Sequence, residues 1–153
     1  MRRAALPLAA GLLLGLSACA PAAPDGLDED VLNREIAAGI GDPTTCVLVA
    51  RQSDGEVVYQ YGGAMACGRA YPSCEDGASR SAQDLLAGLG APPGSVAISC
   101  PTAADGSRSV GWAAGPVSGR PLTFVAVMEG QRALPGLVMT DRLARAFTRA
   151  GLE

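Results

Sequence analysis

The side chains of this 153-residue sequence whose type and spacing point most directly to chemistry are its five cysteines. Cys19 stands alone near the start of the sequence, at the end of an apolar run that follows Arg2 and Arg3. The other four are spread over the region that follows: Cys46, Cys67, Cys74 and Cys100. A cysteine can be modified, form a disulfide, bind a metal or act as a nucleophile, and its surroundings decide among these fates.

The residues before Cys19 have the features of an export signal. Two basic residues are followed by a short apolar stretch, and Leu16-Ser17-Ala18 places small residues directly before the cysteine. This motif resembles the lipobox of bacterial lipoproteins. The resemblance implies that Cys19 carries a diacylglycerol, that the signal is removed before it, and that its new amino group is acylated, for example with palmitate. Two or three acyl chains make a durable anchor, since each buried methylene contributes roughly 0.8 kcal/mol.

The same resemblance gives the expected organisation and location. Residues 1–18 are the signal peptide, residues 19–26 form a tether rich in proline and alanine, and residues 27–153 form a single domain. Membrane lipid is then a partner through Cys19, and the domain lies on the periplasmic face of the cell envelope. Ala20 after the modified cysteine, rather than an aspartate, favours the outer membrane over the inner one in a bacterium that has both.

The four remaining cysteines form an even set in an exported chain, which predicts two disulfides. Four cysteines allow three pairings, and we predict Cys67 with Cys74 and Cys46 with Cys100. The first pair would close a small loop, and the second would join two predicted strands. A zinc site with four thiolates is the rival interpretation, but the sequence lacks the close Cys-x-x-Cys pairs of such sites.

The composition excludes most familiar catalytic machinery. All twelve basic residues are arginine, and neither lysine nor histidine occurs. The sequence therefore lacks a Ser-His-Asp triad, an imidazole metal ligand, a Schiff-base lysine and a phosphate-loop lysine. After loss of Arg2 and Arg3, ten basic residues face fifteen acidic ones, which argues against nucleic acid as a partner. We expect no cofactor, no metal and no enzymatic activity.

Two sets of side chains keep other functions open. Tyr59 and Tyr61 on a predicted strand, with Tyr71 in the following loop, are candidates for a ligand or partner surface. Glu75, Asp76 and Asp105 are the carboxylates that a hydrolase without histidine would use. These sets define two alternatives, a small-molecule binding module and a carboxylate-only hydrolase.

The elements that position these residues follow from hydrophobic periodicity and turn signals. Helices are predicted from Leu27 to about Ile40, after a Ser81-Ala82-Gln83-Asp84 capping box, and over about 139–150. Strands are predicted at 46–51, 56–61, 95–100, 107–114 and 121–128, with Val57, Tyr59 and Tyr61 on one face. A long loop over 62–79 carries two cysteines, and such ordered loops are often contact surfaces.

The resulting order α-β-β-α-β-β-β-α predicts an α+β fold, a five-stranded antiparallel or mixed sheet covered by helices and stapled by disulfides. The layout resembles roadblock-type and profilin-like folds, and it is similar to the strand frame of penicillin-recognising serine hydrolases without their helical subdomain. The Ser-x-x-Lys motif of that hydrolase family is absent. The function we expect is a non-catalytic, membrane-anchored envelope lipoprotein that binds or scaffolds another envelope protein.

Overall fold

The computed structural model of the protein describes residues 26–152, so that Cys19, the signal and most of the predicted tether lie outside the described residues. The elements follow in this order: α1 (Glu29–Ile40), β1 (Cys46–Arg51), β2 (Val57–Tyr61), α2 (Ala64–Gly68), β3 (Tyr71–Pro72), β4 (Ser79–Arg80), α3 (Ala82–Gly88), β5 (Val96–Pro101), β6 (Ser109–Pro116), β7 (Leu122–Gly130) and α4 (Gly136–Arg149). The predicted α+β class is confirmed.

The main sheet has five strands in the order β2-β1-β7-β6-β5, and every neighbouring pair is antiparallel. The three inner strands β1, β7 and β6 are buried on both of their faces over most of their length. In β1, Val47 and Val49 point into one apolar cluster, while Cys46 and Leu48 point into the other. Burial on both sides explains why this strand reads as a continuous apolar run rather than as an alternation.

Two long helices cover one side of the sheet, which we call the α1/α4 face. The N-terminus of α1 is capped by Asp28, whose carboxylate accepts hydrogen bonds from the backbone N–H groups of Asp30 and Val31. Four-residue spacing then aligns three fully buried side chains along α1: Leu32, Ile36 and Ile40. Helix α4 supplies Met139, Leu143 and Phe147 to the same cluster.

Short elements cover the opposite side, which we call the stapled face. They are α2, the two-stranded β3–β4 ladder and α3, and they pack over Leu48, Val110, Trp112 and Val125 of the sheet. The predicted capping box is present at the start of α3, where the Ser81 hydroxyl accepts from the Asp84 N–H and the Asp84 carboxylate accepts from the Ser81 N–H.

Two glycines allow α4 to begin directly against the sheet. A Cβ atom at Gly136 would collide with the Trp112 carbonyl oxygen, and one at Gly111 would collide with the Leu134 carbonyl oxygen. The chain therefore crosses β6 in backbone contact, which only residues without a side chain permit at these points.

One predicted face assignment is wrong. The β1–β2 pairing matches Val49 with Tyr59 and Ala50 with Val57, which leaves Val58 as an extra, unpaired residue in β2. Such a bulge reverses the alternation of side chains beyond it. Val57 consequently packs on the stapled face, whereas Tyr59 and Tyr61 pack on the α1/α4 face.

Candidate functional site

The residues between β2 and α3 form the part of the molecule with the most unusual construction. We call residues 62–80 the stapled segment, because two disulfides attach it to the main sheet. Cys46 at the start of β1 bonds Cys67 of α2, with Cα atoms 5.0 Å apart, and Cys74 bonds Cys100 of β5, with Cα atoms 5.6 Å apart. The four cysteines thus pair among themselves as two disulfides, which leaves none of them as a thiolate.

The predicted pairing is wrong, and the strand order gives the reason. Cys46 lies on β1 and Cys100 on β5, with β7 and β6 between these strands. Three strand spacings amount to about 14 Å, whereas bonded cysteines have Cα atoms less than about 7 Å apart. Each of these cysteines therefore bonds to the stapled segment, which crosses the sheet from β1 to β5.

Aromatic side chains fill the space beneath the stapled segment. Tyr71 and Trp112 are fully buried and meet edge to face, with ring centroids 5.9 Å apart. The Tyr71 hydroxyl donates to the Ala66 carbonyl oxygen at 2.5 Å, and the Trp112 indole N–H donates to the Pro72 carbonyl oxygen at 2.7 Å. These bonds fix the backbone of the segment over the sheet next to Cys67 and shortly before Cys74.

The turn that carries Cys74 is closed by its own polar groups. The Ser73 N–H donates to the Ala78 carbonyl oxygen at 2.9 Å, and the Asp76 carboxylate accepts from the Ser73 hydroxyl and from the Ala78 N–H. Glu75 pairs with Arg80 at 3.1 Å. Arg80 also lies over the Trp112 ring, at 5.5 Å from the centroid.

The outer surface of the stapled segment combines one large apolar side chain with charged neighbours. The Met65 side chain on α2 is 84% exposed, although its neighbours Ala66 and Cys67 are buried. Arg69 lies over the Tyr71 ring at 4.4 Å, with part of its side chain in solvent, and the Glu75 carboxylate is exposed. An exposed methionine beside a fixed backbone is suited to contacting a protein surface.

Glu129 at the end of β7 connects this surface to the sheet, and the sequence analysis did not single it out. Its largely buried carboxylate pairs with Arg69 and with Arg108, the latter at 3.2 Å, and accepts a bond from the Thr102 hydroxyl. Burial alone would raise the pKa of Glu129, but the hydrogen bonds from both arginines hold it below the ordinary value. The only signal in the sequence is an acidic residue directly after a long apolar strand.

The three tyrosines do not form one surface. Tyr59 is buried on the α1/α4 face, where its hydroxyl donates to the Asn33 side-chain oxygen at 2.7 Å, and Tyr71 is buried on the opposite face. Tyr61 lines a shallow groove of about 440 Å³ beside Asp42 and Thr45. A shared ligand surface for Tyr59, Tyr61 and Tyr71 is therefore excluded by their positions.

The three candidate carboxylates are each engaged within their own turns. Hydrogen bonds from the hydroxyl groups of Ser73 and Ser107 lower the pKa of Asp76 and Asp105, respectively. A general acid in glycoside hydrolysis needs a raised pKa, which is the opposite shift. The exposed Glu75 forms an ion pair with Arg80. This geometry gives no support to the hydrolase alternative.

Between residues 26 and 152, no cluster of three or more acidic, cysteine or histidine side chains is arranged as a metal site. None of the helices in this part of the chain has the length and apolarity needed to cross a bilayer.

Comparisons with known proteins provide no relative for this chain. No family model, no curated protein and no solved structure matches it. The resemblances of the leader to a lipobox and of the layout to roadblock-type folds therefore stay predictions from the sequence.

Proposed function

We propose that the protein is a lipid-anchored component of the bacterial cell envelope that binds another envelope protein through its stapled segment, without catalysis. The observation that carries this proposal is the stapled segment itself. Two disulfides and two buried aromatic hydrogen bonds hold its backbone, while Met65 projects into solvent.

Rigidity favours binding because it removes a cost of association. A flexible loop loses conformational freedom when it binds, whereas a segment already fixed in its bound shape loses little. Met65 gives the segment one exposed apolar side chain, and Arg69 and Glu75 add charged groups elsewhere along it, a mixture of side chains found at protein–protein contacts. The short helices and turns of this segment thus act as a preformed surface rather than as a mobile loop.

The proposed location in the cell envelope and the lipid anchor rest on the lipobox resemblance at Cys19, and the disulfides support an exported chain. Two disulfides among four cysteines suit a chain that is oxidised after export. If the fifth cysteine, Cys19, carries a lipid, no free thiol remains in the mature protein, because the other four cysteines form the two disulfides. The intact mass of the native product, measured before and after reduction, tests both points, because it reports cleavage before Cys19, the acyl chains and the two disulfides. A product that retains residues 1–18 would contradict the anchor.

Site-specific crosslinking in the native envelope tests the binding surface. A photoreactive benzophenone amino acid is placed at Met65 or, as a control, at Leu137, which is also exposed (65%) but lies on α4. We expect one specific envelope protein to be crosslinked from position 65 and not from position 137. Excess wild-type protein should compete, whereas the Met65→Glu variant should not. Identical products at both positions, or equal competition by that variant, would contradict the proposed surface.

A further inference from the structure

Helices α1 and α4 border a cationic groove on the side of the sheet opposite the stapled segment. Arg142, Arg145 and Arg149 follow one another at intervals of three and four residues, which places them on one side of α4. They line a groove of about 190 Å³ together with Glu35, Ala38 and Gly39 of α1. We call these three arginines and the α1 residues beside them the arginine groove.

The arginines keep most of their hydrogen-bond donors available. One guanidinium nitrogen of Arg142 donates to the Gly39 carbonyl oxygen at 2.9 Å, which fixes that side chain at the end of α1. Arg149 lies 3.7 Å from the Glu35 carboxylate, and in the described part of the chain no carboxylate lies within 4 Å of Arg145. A guanidinium has five N–H donors, and paired donors match the oxygens of a phosphate.

The size of the groove suits a compact anion. Its volume of about 190 Å³ is enough for a phosphate group, which would meet the three arginines on the α4 side. Ala38 contributes only a methyl group to the groove, and the absence of a side chain at Gly39 lets the Arg142 backbone and Cβ atom pack directly against the end of α1. The acidic Asp28, Glu29 and Asp30 lie at the opposite end of α1 from Gly39.

The chain outside the described residues suggests which anion this is. Nine residues lie between Cys19 and Glu29, the first residue of α1, and the ten residue steps of an extended chain between them span at most about 35 Å. A domain held this close to a bilayer meets headgroups at a high effective concentration, so that a weak site suffices. Although acidic residues outnumber basic ones in the chain, the three arginines give the groove a local positive charge that is complementary to an anionic surface.

We infer that the arginine groove binds the phosphate of an anionic lipid headgroup and thereby orients the anchored domain on its membrane. The α1/α4 face then lies against the bilayer, and the stapled segment faces away from it, towards a partner protein. This inference rests on the proposed anchor at Cys19, and it adds a defined orientation to it.

Photocrosslinking to lipids in reconstituted vesicles tests the inference. The mature acylated protein carries the benzophenone amino acid at Ala38 in the groove or, as a control, at Gln83 on the opposite side of the sheet. Vesicles contain phosphatidylcholine alone or phosphatidylcholine with phosphatidylglycerol. We expect strong lipid crosslinking at position 38 only with phosphatidylglycerol, with a roughly tenfold fall in high salt, and little at position 83.

Charge-matched variants separate a specific groove from general attraction. The groove variant combines Arg142→Gln, Arg145→Gln and Arg149→Gln, and we expect it to reduce crosslinking at position 38 roughly tenfold. The control variant loses three arginines elsewhere in the fold and should retain the crosslinking: Arg51→Gln, Arg108→Gln and Arg120→Gln. Thermal melting of both variants verifies that each remains folded. The inference would be overturned if both variants lost lipid crosslinking equally, or if crosslinking at position 38 were the same with and without phosphatidylglycerol.

Failure of the anchor and failure of the groove give different results. Flotation of the protein with vesicles of phosphatidylcholine alone depends on the acyl chains and reports the anchor. Crosslinking that requires phosphatidylglycerol reports the groove. A protein that floats with both kinds of vesicle but shows no lipid preference at position 38 retains the anchor and refutes the oriented docking.

Discussion

The two sides of the main sheet are covered by different means. On the α1/α4 face, helices of 12 and 14 residues bury regular rows of aliphatic and aromatic side chains, without any disulfide. On the stapled face, the sheet is covered by helices of 5 and 7 residues and by a ladder of two residue pairs, and two disulfides attach these elements to it. In this fold, disulfides therefore occur where the covering elements are too short to be stabilised by packing alone.

The physical basis of this difference is the size of each covering element. A helix of three or four turns presents a full apolar stripe, whereas a single turn buries few side chains and has a costly nucleus. Removal of conformational freedom from the unfolded chain compensates for the small buried area of the stapled segment. The two faces should consequently respond differently to core truncation, to reduction and to acid.

The largest effect is expected from truncation on the α1/α4 face. Phe147 is 2% exposed and meets Phe124 edge to face, with centroids 5.4 Å apart. Phe147→Ala should lower the free energy of unfolding by about 4 kcal/mol, because it removes apolar contact and leaves a cavity. Urea unfolding measures the loss, and Leu137→Ala on the same helix is the control, with a change below about 0.5 kcal/mol. Similar losses at the two positions would show that the helix does not pack as described.

Removal of a disulfide should have a somewhat smaller and more local effect. Replacement of Cys74 and Cys100 together by serine should lower the free energy of unfolding by about 3 kcal/mol. Hydrogen exchange should then accelerate in residues 62–80 and remain slow in α1 and α4. Uniform acceleration over both faces would contradict the division of the fold.

The two disulfides should be reduced in the order of their exposure to solvent. Cys46 and Cys67 are buried at 0% and 6% exposure, whereas Cys74 and Cys100 are each partly exposed. A mild thiol reductant should therefore open Cys74–Cys100 first, as measured by alkylation and peptide mass mapping. If Cys46–Cys67 were reduced first, α2 would have to detach from the sheet more readily than the turn that carries Cys74, which would contradict this prediction.

The smallest effect is expected from the ion cluster of Glu129, Arg69 and Arg108. Because the folded state lowers the pKa of Glu129, its ionised carboxylate stabilises the fold above its ordinary pKa of 4.5, and this contribution is lost as the pH falls through the lowered value. Glu129→Gln should thus be less stable than the wild type at pH 7, with a difference that shrinks on acidification below about pH 4.5. Thermal melting across this range provides the measurement, and a difference independent of pH would exclude the ionised form as the cause.

The parts of the fold that the sequence predicted correctly are those with local signals. The buried run of β1, the four-residue spacing in α1 and the Ser81 capping box each lie within a short stretch of sequence. Such patterns depend on neighbouring residues, so that they specify helices and strands without knowledge of the whole chain.

The errors concern contacts between distant parts of the chain. The disulfide pairing depends on the insertion of β7 and β6 between β1 and β5, which no local pattern encodes. The predicted face of Val57 was wrong for a similar reason. The bulge at Val58 that reverses it is defined by the pairing with β1, which the sequence of β2 alone does not specify. The short elements α2, β3 and β4 bury too few residues to produce a periodic pattern.

The crossing of α4 over β6 restricts how this architecture can diverge. Gly111 and Gly136 permit peptide groups to touch where other helices and sheets are separated by side chains. Any larger residue at either position would force the helix away from the strand, and no compensating replacement nearby could restore the lost space. Saturation mutagenesis should therefore find these two sites nearly invariant, while most solvent-facing positions accept many amino acids.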